Sequence, residues 1–368
     1  MSRLTSVLTK NTDVTSMGMM TNPDVLFGKT GVSMSIFDEM LQDAHIHAKL
    51  EQLKDRIFAM KWDVRAKDMD DESAGIAAFV KDCLNGLGVK QLLQDMMMAV
   101  EYGFSVIEII WEERDGAWIP VNAMGRKPSR FAFSDEGKLA LADGAVSIPL
   151  DEEYKFIVHR NSPKNENPYG TPVLSKCYWP WMFKKAGFRY WLTVAEKYGV
   201  PTVLALFDSI DDADSRARAK ELAENLYNIQ SDAAVALANV DSVQVLETKG
   251  TSADFSELVN ICNTEISKAV TGEILTSDTS TNGSYSLAQQ HLETLQTKSY
   301  KIAGALSETL TQTLLKWIVD LNFGDAPVPA FILDMKVEAD WDIIKDAIGL
   351  GFDVDKAEVA KRFGIALA

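Results

Sequence analysis

Two acidic clusters, Asp68-Met69-Asp70-Asp71-Glu72 and Asp211-Asp212-Ala213-Asp214, offer carboxylates at spacings that could hold a divalent cation. A hydrolase working through a metal at Asp211, Asp212 and Asp214 is therefore one reading. Both clusters, however, precede segments with helical periodicity, where solvated acids are favoured by the helix dipole anyway. Of the four histidines, His45, His47, His159 and His291, only the first two are close in sequence. At i,i+2 they diverge on a helix, so a shared metal is not expected. Cys83, Cys177 and Cys262 are scattered and odd in number, which excludes a disulfide framework or a CxxC metal site. They read as small buried thiols in a reducing compartment.

Nucleotide and hydrolase signatures are missing as well. Neither GxxxxGK[ST] nor GxGxxG occurs, and GxSxG and HExxH are also absent. No catalytic residue, cofactor or metal is expected. Two basic spots, Arg126-Lys127 with Arg130 and Lys184-Lys185 with Arg189, are too small to form a nucleic-acid footprint. The net charge of −16 points the same way, because gripping nucleic acid depends on Lys and Arg displacing counterions. It leaves room for a protein that DNA merely passes.

The elements that would carry any site are well patterned. The chain has 368 residues, 46% hydrophobic and 24% charged, enough for two or three structural units and inconsistent with wholesale disorder. Its apolar runs, such as "VLALF" and "VIEIIW", are strand-sized, and the first twenty residues lack a signal-peptide core. The expectation is a soluble, cytoplasmically made protein with no membrane partner.

Residues 1–35 read as an irregular arm. From Ile36, apolar residues recur at helical spacing through Phe58, followed by the strand-like "KWDVRA". Helices over about Glu72–Leu84 and Val89–Tyr102 come next, the latter stopped by Gly103. Two extended runs flank Arg114-Asp115-Gly116, a hairpin signal, and "RFAF" and "EYKFIVHR" add further strands. This region is thus helices followed by a small, mainly antiparallel sheet, an α+β arrangement rather than alternating βα units.

After the connector "NSPKNENPYGTPVL", a helix over about Pro172–Tyr198 carries Tyr178, Trp179, Trp181, Phe183, Phe188, Tyr190 and Trp191, with Lys184 and Lys185 among them. Aromatics on almost every side of one helix exceed the needs of a single core face. The helix is expected to pack on two or more sides, including against another subunit; an entirely intramolecular core is the alternative. Val200–Glu247 reads as a compact βαββ insert, and "FSELVNICNTEISKAVTGEIL" as another helix capped by Ser252 or Asp254. The strip Thr276, Ser277, Asp278, Thr279, Ser280, Thr281, Asn282, Gly283, Ser284, Tyr285 and Ser286 follows, polar and without an aliphatic residue. Beyond it Leu287 to Leu321 keep helical spacing over about 36 residues, or about 54 Å. A strand-like piece from Asp334 and two short helices close the chain.

This order resembles the portal proteins of Mu-like tailed phages. The resemblance spans about Ile36–Gly324 and is carried most specifically by "AEKYGVPTVLALF" and "ISKAVTGEILTSDTSTNGSYSLAQQHLETL". It implies a portal-type fold: arm 1–35, α/β wing 36–171, stem helix 172–198, α/β clip 199–250, second stem helix 251–275, channel loop 276–286, long wing helix 287–324, and tail 325–368. Little of the chain follows Gly324, which implies a reduced crown or none. The resemblance further implies a ring of about twelve copies in the virion, assembled in the host cytoplasm. Double-stranded DNA would pass through it, and terminase large subunit, capsid or scaffold protein, and head-completion or adaptor proteins would dock on it. A non-DNA oligomeric scaffold is the alternative. A channel loop of Ser, Thr, Asn and Gly would suit a bore that must not retain phosphates.

Overall fold

In the computed structural model, the described residues are 19–20, 22–30, 33–143, 146–165, 167–198, 202–206, 242–246, 252–272 and 285–334, with isolated positions between 213 and 221 and between 345 and 351. The helices are α1 (Val25–Thr30), α2 (Ile36–Met40), α3 (Ala44–Phe58), α4 (Asp71–Leu87), α5 (Val89–Tyr102), α6 (Val173–Tyr198), α7 (Ser252–Val270), α8 (Tyr285–Leu310) and α9 (Lys316–Phe323). The strands are β1 (Met19–Met20), β2 (Lys61–Arg65), β3 (Phe104–Arg114), β4 (Ala117–Arg126), β5 (Phe131–Ser134), β6 (Leu139–Asp143), β7 (Val146–Pro149), β8 (Phe156–Arg160), β9 (Thr202–Leu206), β10 (Ser242–Leu246) and β11 (Ala330–Asp334).

The expected single helix from Ile36 is two helices. Apolar spacing continues across the break, but Asp43 caps α3: its Oδ1 accepts from the amides of His45 and Ile46, at 3.0 and 3.1 Å. Asp70 caps α4 in the same way, accepting from the Ser73 amide at 2.6 Å. Gly88 at φ 82° both ends α4 and begins α5, a left-handed turn that only glycine adopts without strain.

The wing's antiparallel strands fall into separate sheets rather than one. Order β4-β3-β8 forms the sheet against the helices, with β3 and β4 joined through Asp115 and Gly116, both at positive φ as the hairpin signal requires. A second sheet, β1-β5-β6-β7, takes its edge strand from the region expected to be an irregular arm. Strand β11 returns from beyond the long helix to pair with β2, Phe331 opposite Val64. This strand lies just before the tail segment in which a strand was expected.

One continuous core, including Phe37, Leu53, Leu84, Met96, Ile107, Leu174, Ile266, Leu306 and Ile318, joins the wing helices to the inner ends of α6 and α7 and to the long helix. A smaller cluster centres on Phe104, Phe133 and Tyr169, whose rings meet edge to face at 4.9–5.8 Å. The long helix runs from Tyr285 to Phe323 and is interrupted by a π-turn at Thr311–Leu315. There the Thr311 hydroxyl accepts the amide of Phe331 at 3.0 Å, tying the helix to β11.

The start of α6 is fixed by a close backbone crossing. A side chain on Gly103 would collide with the Tyr169 carbonyl at 2.4 Å, and one on Gly170 with the Gly103 carbonyl at 2.1 Å. The Asn161 amide donates to that Gly103 carbonyl, and the Thr171 amide to the Asn161 carbonyl, both at 2.8 Å. The connector is thereby laid against β3 and β8 immediately before α6 departs.

Candidate intersubunit surface and channel approach

Helix α6 changes surroundings along its length. Its first turns bury Leu174, Cys177, Tyr178, Trp181 and Lys184 at i, i+3, i+4, i+7 and i+10, one face of a helix. Beyond Lys184 it leaves the core with α7 alongside. A side chain on Gly187 would come within 2.8 Å of Leu258 Cδ2, so the two helices touch closely there. Tyr190 and Phe255 stack loosely across them, ring centroids 6.1 Å apart.

The residues expected at a subunit interface therefore divide. Tyr178, Trp181 and Lys184 are buried within the chain, Trp181 and Lys184 reaching the surface only at the cleft beside the α2–α3 turn. Trp179, Phe183, Phe188, Tyr190 and Trp191 are exposed, as is Leu192, which the aromatic pattern does not include. Lys185 lies at the surface, 4.8 Å over the Trp181 ring and 3.1 Å from Glu39. Between the α2–α3 turn and α6 is a cleft of about 500 Å³ lined by residues including Asp43, Trp181, Phe188, Arg189 and Leu192.

A buried polar junction holds the stem on the wing. Lys184 Nζ is 2.5 Å from Asp43 Oδ2 and 3.1 Å from Asn263 Oδ1. One residue of α6 thus engages the cap of α3 and the middle of α7. Next to it, His45 Nε2 lies 2.8 Å from Ser267 Oγ. Burial, reinforced by the Lys184 and Lys49 charges, lowers the His45 pKa and favours the neutral ring. These partners lie more than two hundred residues apart for His45 and Ser267, and no motif connects them.

At its inner, C-terminal end α7 stops at Thr271 and Gly272, the latter at φ 82°. The Thr271 hydroxyl donates back to the Ser267 carbonyl at 2.9 Å. Lys298 of α8 donates to the carbonyls of Ala269 (3.1 Å) and Val270, placing a cation on the negative end of the helix. Burial, with Lys176 and Lys301 nearby, holds the Lys298 ammonium below its ordinary pKa. Thr276 to Ser284, expected to form a channel loop, lie outside the described residues, as does most of the expected clip. Tyr285 and Ser286 belong to α8, whose first turn begins two residues earlier than expected.

Several of the residues weighed for chemistry serve the fold instead, while Asp211 and Asp212 lie outside the described residues. Asp70 is a helix cap, and Asp71 and Glu72 are exposed in the first turn of α4. Among the described residues no group of three or more His, Cys, Asp or Glu side chains could hold a metal. Arg126 pairs with Glu108 at 2.7 Å and Lys127 with Asp38 at 2.6 Å. Burial raises the Cys83 thiol to about 11 and the Cys177 thiol to about 12. His159 is buried with Nδ1 2.9 Å from Thr309 Oγ1, and burial lowers its pKa to about 4. Among the described residues no helix is long and apolar enough to cross a membrane.

Residues 34–365 match the family model described as the portal protein of Mu bacteriophage. The chain belongs to this portal family. Its α+β architecture is the portal fold. It is similar to the portal protein of Escherichia phage Mu, 21% identical over 321 residues covering 85% of this chain and 62% of the relative. The chain thus spans less than two thirds of that relative's length. Among solved structures, a chain in the neck of an empty gene transfer agent particle aligns with a TM-score of 0.62 at 12% identity, covering 92% of this portal chain and 95% of its own. A chain in the neck of the native particle, computed with C12 symmetry, gives 0.57 at 12% identity over 88% and 90%. These structural likenesses speak for the fold.

Proposed function

We propose that the chain is a portal subunit: copies close into a ring at one vertex of a tailed-phage head, and double-stranded DNA enters and leaves through its centre. Family membership supports this reading. The structural observation that carries it is the stem helix α6, which keeps Trp179, Phe183, Tyr190 and Leu192 at 53, 54, 66 and 62% exposure. An apolar concentration of this kind on a projecting helix pair is covered by another protein surface in the working assembly. The similar neck structures are parts of assemblies treated with six-fold and twelve-fold symmetry, in keeping with a cyclic ring of about twelve copies.

In this role the chain is structural and non-enzymatic. Terminase large subunit, capsid or scaffold protein, and head-completion or adaptor proteins are the partner classes that dock on it. Thr276–Ser284 would face the channel between two fixed supports, the Lys298-bound end of α7 and the first turn of α8. The net charge of −16 per copy favours sliding over binding, since few phosphate counterions are displaced by an acidic wall. Basic side chains ringing the narrowest part of the assembled channel would contradict that account of the charge.

Electron microscopy of the purified chain across a range of concentrations tests the proposal. End-on views of rings with a central hole wide enough for a duplex are expected. Monomers or dimers at every concentration, or rings too narrow for a duplex, would reject it.

A further inference from the structure

The aromatic part of α6 carries two apolar patches on opposite sides of the helix. At about 100° per residue, Trp179, Phe183 and Tyr190 fall within about 40° of one another, while Phe188 and Leu192 point roughly the other way. The first patch is exposed, Trp179 and Phe183 on the turns whose other face enters the core and Tyr190 beyond them. The second lines the cleft beside the α2–α3 turn, where Trp181 forms the floor. A two-fold contact would match one patch with itself and leave the other bare. A rotational contact uses both, one from each copy.

From this we infer that neighbouring copies meet head to tail, the Trp179–Phe183–Tyr190 face of one seated in the Phe188–Leu192 cleft of the next. This rests on the ring reading above and specifies which surfaces close it. Copies related by rotation about a common axis present equal heights to one another, and Tyr190 and Leu192 are only two residues apart along the helix. Charge agrees with the fit. In the cleft, Lys184 and Lys185 are engaged by Asp43 and Glu39, but Arg189 makes no ion pair within the chain among the described residues. Glu257 of α7, beside Leu258 and hence level with Gly187, is exposed and also lacks an ion pair among them. Head-to-tail seating brings Arg189 of one copy toward Glu257 of the next.

Disulfide trapping of the full-length chain tests the pairing. Tyr190→Cys and Leu192→Cys on one chain diverge and cannot bond to each other, and Cys83, Cys177 and Cys262 are buried. Oxidised rings of the double variant should give a ladder of covalent multimers climbing past the dimer, while each single variant stays monomeric. Rings without a ladder, or covalent dimers from either single variant, overturn the pairing while leaving the ring reading intact. Failure of the unsubstituted chain to form rings rejects the ring reading itself. If the paired cysteines block assembly, Arg189→Glu and Glu257→Arg decide instead. Each alone should cut ring yield several-fold and the two together restore it; losses that merely multiply overturn the pairing.

Discussion

Lys184 Nζ and Asp43 Oδ2 stand 2.5 Å apart with both side chains about nine-tenths buried, joining the stem helix to the first long helix of the wing. A pair withdrawn this far from water adds modestly to stability while intact, but removing one partner strands the other charge. Asp43→Ala also deletes the cap of α3. The expected loss is about 3–5 kcal/mol, with Asp43→Asn milder because an asparagine can still cap. Urea unfolding of the chain at concentrations below those at which it assembles measures it. If Lys184→Met combined with Asp43→Asn is no more stable than Asp43→Asn alone, the stranded lysine is not the cause.

Protonation of His159 should be a source of acid sensitivity. Its folded pKa of about 4 lies below the ordinary 6.5, so between those values the unfolded chain takes up a proton that the folded chain refuses. Stability contributed by the neutral ring is full above pH 6.5 and drains away as pH falls toward 4, by about 3 kcal/mol. His159→Gln should flatten the dependence of unfolding free energy on pH across that window. An unchanged slope would show that His159 is protonated in the folded chain.

Gly187 permits the close contact of α6 with Leu258 on α7. Gly187→Val should push the helices apart, costing about 1–3 kcal/mol and lowering ring yield more than it lowers the melting temperature of the wing. Equal ring yield from this variant would mean that the helix spacing does not set the subunit contact.

Lys298 ties α8 to the last carbonyls of α7. Lys298→Met should leave these without a donor, at a cost of about 1–3 kcal/mol. Hydrogen exchange at the amides of Thr271 and Gly272 should quicken while the amides of α4 and α5 keep their rates. Faster exchange everywhere would mark a global effect instead.

Replacing Thr276–Ser284 by a Gly-Ser linker of the same length should leave ring assembly unchanged, because the supports at Gly272 and Tyr285 remain. DNA packaging in a reconstituted head should fall. Packaging at the normal rate would remove any need for the native loop sequence.

Local patterning made most of the elements legible. The hairpin at Asp115-Gly116, the stop at Gly103 and the span of α6 all follow from signals within a few residues of each other. What sequence concealed were the long-range pairings. Strand β11 finds β2 across more than two hundred residues, and β1 is anchored because the Tyr169 hydroxyl donates to the Met20 carbonyl at 2.8 Å. Aromatics all around α6 led to the expectation of contacts on several sides, and the structure divides them into a buried and an exposed set. Only the position of Asp43 decides that Lys184 turns inward while Lys185, its neighbour, stays at the surface.

The π-turn at Thr311–Leu315 makes the chain's response to length changes uneven. Such a turn holds one residue more than the α-helix around it, so a single deletion there could be absorbed by reverting to an ordinary helix. The turns on either side would keep their phase, whereas the same deletion elsewhere in the rod would rotate everything beyond it by about 100° and carry Asn322 away from Trp118 on the hairpin tip. At present the Trp118 amide donates to the Asn322 side-chain oxygen at 2.8 Å, and the Asn322 side-chain amide to the Trp118 carbonyl at 2.9 Å. The surplus residue works as slack in the rod's phase. It lets one half of a rod answer to the stem and the other half to the rim of the wing, and a deletion elsewhere in the rod would have no comparable reserve to draw on.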